Sequence, residues 1–299
     1  MTREVAIVAP TASGKSDVAM AVARANGAHI IAVDAMQVSR GMDIGTAKPS
    51  VADQSEVPHH CVDLVDPSER FTVAEFKVQA AAARDAARRA GAPALLVAGT
   101  GLYLTAVIDD LQLPGEWPDV RAQLQAEPDV ATLFARLQEL DPLAASRCEP
   151  TNRRRIERAL EVTLGSGQPF SSFGPGTSAY PPSDVPQIGI LWPRETLSKR
   201  IEQRVHSMMA AGLLAEVKSL AERYDLSREA RQALGYKELL EHLSGRVSLD
   251  DAVAQIVLHT RQFAVRQERW FRRDPRIEWV TVHEDPVVEV APRVTALLR

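Results

Sequence analysis

The stretch Ala9-Pro10-Thr11-Ala12-Ser13-Gly14-Lys15-Ser16 has the residue types of a phosphate-binding loop: small residues for a tight turn, then a lysine and a hydroxyl. Such a turn aims several backbone N–H groups, and the positive end of the following helix, at one point where a phosphate oxyanion can replace water. Lys15 would add a full positive charge, and the Ser16 hydroxyl stands where it could ligate Mg²⁺. Ala9 occupies the place of the usual first glycine, which requires a negative φ there or a slightly reshaped turn.

Two further polar groups follow apolar runs in the same manner. Asp34 ends the run His29-Ile30-Ile31-Ala32-Val33, and Thr100 sits between two glycines just past Ala94-Leu95-Leu96-Val97-Ala98. Runs this apolar read as strands of a parallel sheet buried on both faces, and such sheets bind ligands at the carboxyl ends of their strands. Lys15, Ser16, Asp34 and Thr100 are therefore expected on one rim. The strand ending at Ala98 lacks the aspartate that completes an ATPase site, which leaves Asp34 as either a metal-side acid or a general base. The plainer alternatives are that Asp34 caps the next turn and that Thr100 caps a helix.

The elements that must position these groups can be placed by pattern. Val5-Ala6-Ile7-Val8 precedes the loop and a helical segment from Asp17 to about Ala25 follows it. Residues 35–49 show no sustained period and read as a polar loop beside Asp34. His59, His60, Cys61, Asp63 and Asp66 lie close together, but their spacing matches no zinc template, so turn and packing roles are expected. Thr72 to Ala90 is helical, and Arg84, Arg88 and Arg89 near its end complement the helix dipole.

From about Leu113 to Asp184 proline- and glycine-rich ends enclose helical patterns only. This predicts an inserted α-helical subdomain, residues 113–184, within an α/β core formed by 1–112 and 185–299. In it, Ile156, Ala159 and Leu160 make an apolar stripe while Arg154, Arg155 and Arg158 share a neighbouring face, which either holds nucleic-acid phosphates or is simply solvated. Ile188 to Leu191 returns to the sheet. Trp192-Pro193 then starts a helix expected to run through Leu213 with Arg194, Arg200 and Arg204. A last long helix, about Leu249 to Arg272, carries Ile256, Phe263 and Trp270 on one face and His259, Arg266 and Arg273 on another, with Arg261, Arg269 and Arg272 adding to a second basic surface. Ile277 to Val282 is the final strand. The fold class is α/β: a P-loop NTPase-like parallel sheet flanked by helices, with an inserted helical subdomain.

Composition narrows the classes. In 299 residues, 45% hydrophobic and 25% charged content are those of a soluble globular protein. No run of about 18 apolar residues occurs and a strand pattern begins at once, so neither a membrane span nor a signal peptide is expected, and the location is cytoplasmic. Cys61 and Cys148 cannot make a disulfide framework or a four-ligand zinc site by themselves. The net charge of −4 argues weakly against a nucleic-acid partner, but the basic residues are overwhelmingly arginine and they cluster.

Several blocks, in order, resemble the signature of bacterial tRNA dimethylallyltransferases. They are Ala12 to Ser16, Asp34-Ala35-Met36-Gln37, Arg40 to Pro49, Val57-Pro58-His59-His60, Asp66-Pro67, Gly99-Thr100-Gly101-Leu102-Tyr103, Arg158-Ala159-Leu160-Glu161-Val162, Gly235-Tyr236-Lys237-Glu238 and Trp270 to Arg276. The resemblance runs from the first strand to about Trp279. Departures are Ala9, Ser39 where a tyrosine is common, and Ala98 in place of a glycine.

That resemblance implies transfer of a dimethylallyl group from dimethylallyl diphosphate to N6 of the adenosine beside the anticodon, with Mg²⁺. It implies that residues 9–16 hold a leaving diphosphate, neutralised by Lys15, Mg²⁺ near Ser16, and Arg204. Asp34 takes the N6 proton, Thr100 stands at the reacting end, and Gln37 meets the extruded adenine. Contacts to the tRNA anticodon stem-loop are implied for Asp34, Ala35, Met36, Gln37, Thr100, Arg121, Arg154, Arg155, Ile156, Glu157, Arg158 and Arg266, the arginines mostly on phosphate. A monomer suffices. The rivals are a prenyltransferase acting on free adenine nucleotides, a P-loop kinase using the loop for ATP, and a non-catalytic RNA-binding ATPase.

Overall fold

Six strands among the described residues form one all-parallel sheet because each is an apolar run with helices on both sides to cover it. The computed structural model describes residues 3–298. Positions 1, 2 and 299, at the outer ends of the two expected core segments, lie outside the described residues. The chain divides into two units, Met1–Asp109 with Pro182–Arg299, and Asp110–Pro181.

In the first unit the order is β1 (Glu4–Val8), α1 (Lys15–Asn26), β2 (His29–Val33), α2 (Val51–Glu56), β3 (His59–His60), α3 (Val73–Arg89), β4 (Ala94–Ala98) and α4 (Gly101–Ile108). The second unit holds α5 (Pro118–Ala126), α6 (Val130–Leu140), α7 (Pro142–Ser146) and α8 (Arg153–Ser166). The first unit resumes with β5 (Gln187–Leu191), α9 (Arg194–Ala210), α10 (Leu213–Arg223), α11 (Arg228–Arg231), α12 (Tyr236–Leu243), α13 (Leu249–Phe271), β6 (Ile277–Thr281) and α14 (Pro286–Leu297).

The strand order β3-β2-β4-β1-β5-β6 puts the topological switch beside β1, where α/β sheets open a crevice for ligands. Register sharpens this. Ala98 is level with both Val8 and Val33, so β1, β2 and β4 end on one line and hand the chain to Ala9, Asp34 and Gly99 together. Alternation divides the core: Val5, Ile7, Leu95, Val97, Ile188 and Ile190 pack with α1, α9 and α14, whereas Ala6, Val8, Ile31, Val33 and Leu96 pack with α3 and α4.

Two expectations change, and one element was not foreseen. The helix begun at Arg194 ends at Ala210, because Gly212 at φ 100° turns the chain into a separate α10. His59 and His60 form a short strand on Ile30 and Ile31 rather than a plain turn, and the His60 ring stacks on His29. Beyond the last strand, α14 follows Asp285, which caps it, and buries Val290 and Val294; Pro292 inside it obscures the helical period in the sequence. Among the described residues no helix is long and apolar enough to cross a membrane, and no group of three or more His, Cys, Asp or Glu could hold a metal.

The block from Asp43 to Gly45 is held from a distance. Glu216 on α10 accepts the N–H groups of Asp43, Ile44 and Gly45 (3.1, 2.7 and 3.2 Å), and the Tyr236 hydroxyl donates to the same carboxylate at 2.6 Å. A Cβ on Gly45 would lie 2.4 Å from the Tyr236 ring, which explains the glycine. Glu216→Ala should destabilise the fold by about 2 kcal/mol or more, by stranding three amides, and Tyr236→Phe by about 1 kcal/mol, as read by urea unfolding. Equal losses would contradict the assignment of Glu216 as the anchor.

Candidate active site

The phosphate loop is shaped by groups that restrain its backbone rather than by glycines alone. Ala9 needs no glycine, since it is absent from the positive-φ residues; the left-handed positions are Ala12 at φ 62° and Gly14 at φ 83°. Alternating hands of this kind turn successive N–H groups inward, as in an anion nest. The outward carbonyls are held: Arg200 Nε donates to the Ala12 oxygen (2.9 Å), and the Trp192 indole N–H donates to the Ser13 oxygen (3.0 Å). The Arg200 guanidinium lies 4.4 Å over the Trp192 ring, binding the two clamps to each other. At Gly14 a Cβ would meet Pro286 of α14 at 2.6 Å, so that position is glycine for space as well as for φ.

Across the rim, Asp34 does two things at once. Its Oδ1 accepts the N–H of Met36 (2.8 Å) and of Gln37 (3.4 Å), capping the turn. Its Oδ2 approaches Gly99, where a Cβ would lie 3.3 Å from it, 3.4 Å from Gln267 Nε2 and 3.5 Å from Lys15 Cε. Thr100 occupies the N-cap position of α4 but makes no side-chain cap; its Oγ1 accepts the Ala35 N–H at 3.2 Å, leaving its proton to donate. Gln37 Nε2 donates to the carbonyls of Thr46 and Ala47.

The electrostatics mark the rim as an anion site. Burial first, and the nearby Arg204 charge second, push the Lys15 ammonium down to about 8, against the pull of Asp34 and Asp17. Burial also lowers Arg204, again opposed by Asp34 and Asp17. Among the described residues neither cation makes a hydrogen bond or an ion pair of its own. Two half-buried, mutually repelling cations beside a ring of inward N–H groups form an arrangement that an oligophosphate would complete.

The arginine-rich surfaces prove narrower than their residue count. In the second unit Ile156 is fully buried with Leu124, Leu133 and Leu160, so its side chain is core and any RNA contact at this position would fall to its backbone. Glu157 pairs with Arg153 at 2.6 Å. Arg121 and Arg158 both hold the buried Glu161 carboxylate (2.8 and 3.0 Å), where Glu161 also accepts the Trp117 N–H. Arg154 and Arg155 are exposed and make no ion pair among the described residues. On α13, Arg261 pairs with Glu202, Arg272 with Glu268, and His259 with the buried Glu238; Arg266 and Arg269 are exposed and make no ion pair among the described residues.

Residues 37–274 match the family described as IPP transferase, and residues 3–59 match isopentenyl transferase. The chain is 46% identical to the tRNA dimethylallyltransferase of Kineococcus radiotolerans over 98% of its own length and 96% of the relative's. The chain belongs to the tRNA dimethylallyltransferase family. A second relative of that name, from Moorella thermoacetica, is 43% identical over 97% of this chain and 93% of its own. The crystal structure of the tRNA isopentenylpyrophosphate transferase of Bacillus halodurans superposes with a TM-score of 0.72 at 35% identity, covering 100% of this chain and 97% of that one. The parallel sheet and its flanking helices are thus the fold of the tRNA dimethylallyltransferases, which are prenyl-transferring enzymes.

Within that family fold, sequence reading missed the residues that shape the site from afar: Trp192 and Arg200 as clamps, Pro286, and Gln267. For Gln267 a signal existed, because a glutamine on the buried stripe of α13 between Ala264 and Phe271 must find partners inside the protein.

The lowered Lys15 pKa has a sign that can be checked. The unfolded chain keeps this proton up to about 10.5 and the anion-free fold releases it near 8, so stability without ligand should rise between those values. A bound diphosphate needs the ammonium and draws the proton back, so pyrophosphate affinity should decline as pH passes about 8, with proton uptake seen by calorimetry in buffers of different ionisation enthalpy. Lys15→Arg should remove this extra pH dependence. A decline of the same steepness in both proteins would place the titration elsewhere.

Proposed function

We propose that this enzyme transfers a dimethylallyl group from dimethylallyl diphosphate to N6 of the adenosine beside the anticodon of tRNA, as the names of its relatives describe for them. The observation that carries the reading is the pair of unpaired cations, Lys15 and Arg204, set on one rim with a carboxylate and a hydroxyl. Lys15, Arg204 and the loop of residues 9–16, through the N–H groups of Ala12 to Ser16, hold the diphosphate and stabilise the charge it gains as the C–O bond breaks. The N6–C bond forms as Asp34 Oδ2, the free oxygen of the capped carboxylate, takes the N6 proton. Thr100 donates its hydroxyl proton toward the reacting groups, and Gln37 with Ala35 and Met36 lines the place of an adenine turned out of its stack.

The donor set suits Mg²⁺ without a protein cage. Ser16 is exposed on the first turn of α1, and among the described residues no cluster of three metal-binding side chains exists, so an ion here would rely on substrate oxygens and water beside the Ser16 hydroxyl. Ser16 would hold the ion, which supplies further charge neutralisation to the leaving diphosphate.

Arg154, Arg155 and Arg266 grip tRNA phosphates, with Arg121 and Arg158 presented by Glu161. The protein acts as a cytoplasmic monomer, its helical unit serving the RNA and its α/β unit the chemistry.

Incubation with dimethylallyl diphosphate, Mg²⁺ and either unmodified tRNA or free AMP, followed by mass analysis of the nucleosides, tests the acceptor. Prenylation of tRNA adenosine alone is expected; prenylation of AMP would move the protein to the nucleotide-modifying class. Asp34→Asn preserves the Oδ1 cap yet should lower kcat by about 100-fold or more with tRNA affinity unchanged. Arg154→Ala with Arg155→Ala should weaken tRNA binding and reduce the slope of log K against log salt by about 2, measured by filter binding. An unchanged slope would remove both from the interface.

A further inference from the structure

We infer that Gln267 is a positioning residue for prenyl transfer: its side-chain amide fixes the gap between the loop that holds the diphosphate and the loop that carries Thr100. This rests on the function proposed above and adds a part to its machinery.

Gln267 lies on the buried stripe of α13 and is only 7% exposed. Both ends of its amide are used. Oε1 accepts the Thr11 N–H at 2.9 Å and Nε2 donates to the Gly99 carbonyl at 2.8 Å. Thr11 belongs to the phosphate loop. Gly99 precedes Thr100, whose hydroxyl meets Ala35 beside Asp34. The amide thus joins the leaving-group half of the site to the acceptor half.

The sheet cannot do this alone. β1 and β4 are in register up to Val8 and Ala98, and past them the Ala9 N–H reaches the Ala98 oxygen at 3.4 Å. Among the described residues no other backbone bond joins the two loops, so beyond that point their spacing depends on a side chain. An amide suits the task because it offers one donor and one acceptor at fixed separation, matched here to one N–H and one C=O. Its neighbours add a constraint: Nε2 lies in the same small volume around Gly99 as Asp34 Oδ2 and the Lys15 stem. A neutral group there supports both loops without adding charge between the base and the cation. One turn further along α13, Trp270 packs on Gly101, where a Cβ would be 2.0 Å from its ring, so the same helix also fixes the start of α4.

Two variants separate this role from general stability. Gln267→Met keeps length and burial but removes both hydrogen bonds. Gln267→Glu keeps an acceptor for Thr11, turns an oxygen toward the Gly99 carbonyl, and places an anion near Lys15. Loosening the register of reacting groups by fractions of an ångström should lower kcat by about tenfold or more in both. For Gln267→Met the KM for dimethylallyl diphosphate should stay within about twofold, whereas for Gln267→Glu it should rise as the new charge competes with the diphosphate for Lys15. tRNA affinity by filter binding and the thermal unfolding midpoint should stay near those of the parent. Amide hydrogen exchange in the peptide containing Thr11 should quicken in Gln267→Met, which loses the acceptor, and stay near that of the parent in Gln267→Glu, which keeps it.

Wild-type kcat in either folded variant overturns the inference. So does a loss of kcat that comes with a matching loss of tRNA binding and of the cooperative transition, since Gln267 would then be structural only. The parent enzyme in the same assay separates the two claims. If the parent transfers no prenyl group, the function proposed above fails and this inference with it; if the parent is active and the variants equal it, only this inference fails.

Discussion

The site depends on keeping two positive charges, Lys15 and Arg204, close together and half-buried, with no ion pair to either among the described residues and only the more distant pull of Asp34 and Asp17 to offset them. Left to itself such a pair would be relieved by moving the lysine into water or by pairing it with Asp34. The fold prevents both. Lys15 is fixed at the first turn of α1 by a loop whose carbonyls are clamped by Trp192 and Arg200 and whose Gly14 is backed by Pro286. Arg204 sits one turn beyond Arg200 on α9, so the helix that clamps the loop also delivers the second cation. Burial first and this repulsion second lower the Lys15 pKa, and an entering phosphate would relieve the repulsion, which suits the arrangement to binding an anion.

Much of the remaining chain serves to hold the rim's partner loops. The turn region after Asp34 has little regular structure, and its polar backbone is satisfied from elements far along the chain. Glu216 and Tyr236 hold Asp43 to Gly45, while Lys48, nearly buried, bonds the Ser39 carbonyl, Asp43 and Asp63. At the other end Arg276 joins Asp109 and Asp274, fixing the exit of α4 to the end of α13. Two blocks that look unrelated in sequence, Arg40 to Pro49 and Gly235 to Glu238, are therefore two sides of one contact.

Legibility in the sequence follows the range of the interactions. The phosphate loop, Asp34 and Thr100 were readable because each immediately follows an apolar strand, and strand ends in a parallel sheet share a rim. That a helical unit is inserted was readable from the change in composition; the compact unit of the structure spans Asp110–Pro181. Arg204 came only with the family resemblance, since nothing local distinguishes it from Arg200, which plays a different part. Trp192, Arg200 and Gln267 act over separations of 179, 188 and up to 256 residues, and such contacts leave no local pattern. For the arginine clusters, counting alone ignores the acidic residues at helical spacing and across the fold, such as Glu161 and Glu268, that pair with some of them.

The proposed chemistry also requires that base and cations do not cancel each other. A carboxylate that takes a proton must remain an anion until the amine attacks, and cations that favour departure of a diphosphate must remain uncompensated until then. In contact, Asp34 and Lys15 would form a salt bridge and each would lose its purpose. Among the described residues no such pair is made: Asp34 is turned by the Met36 and Gln37 amides, which satisfy Oδ1 from the backbone, while Oδ2 and the lysine stem both lie beside Gly99. A Cβ at residue 99 would touch Asp34, Gln267 and Lys15 at once, at 3.3 to 3.5 Å. The glycine therefore leaves the space beside this turn to all three groups, which a larger residue would crowd.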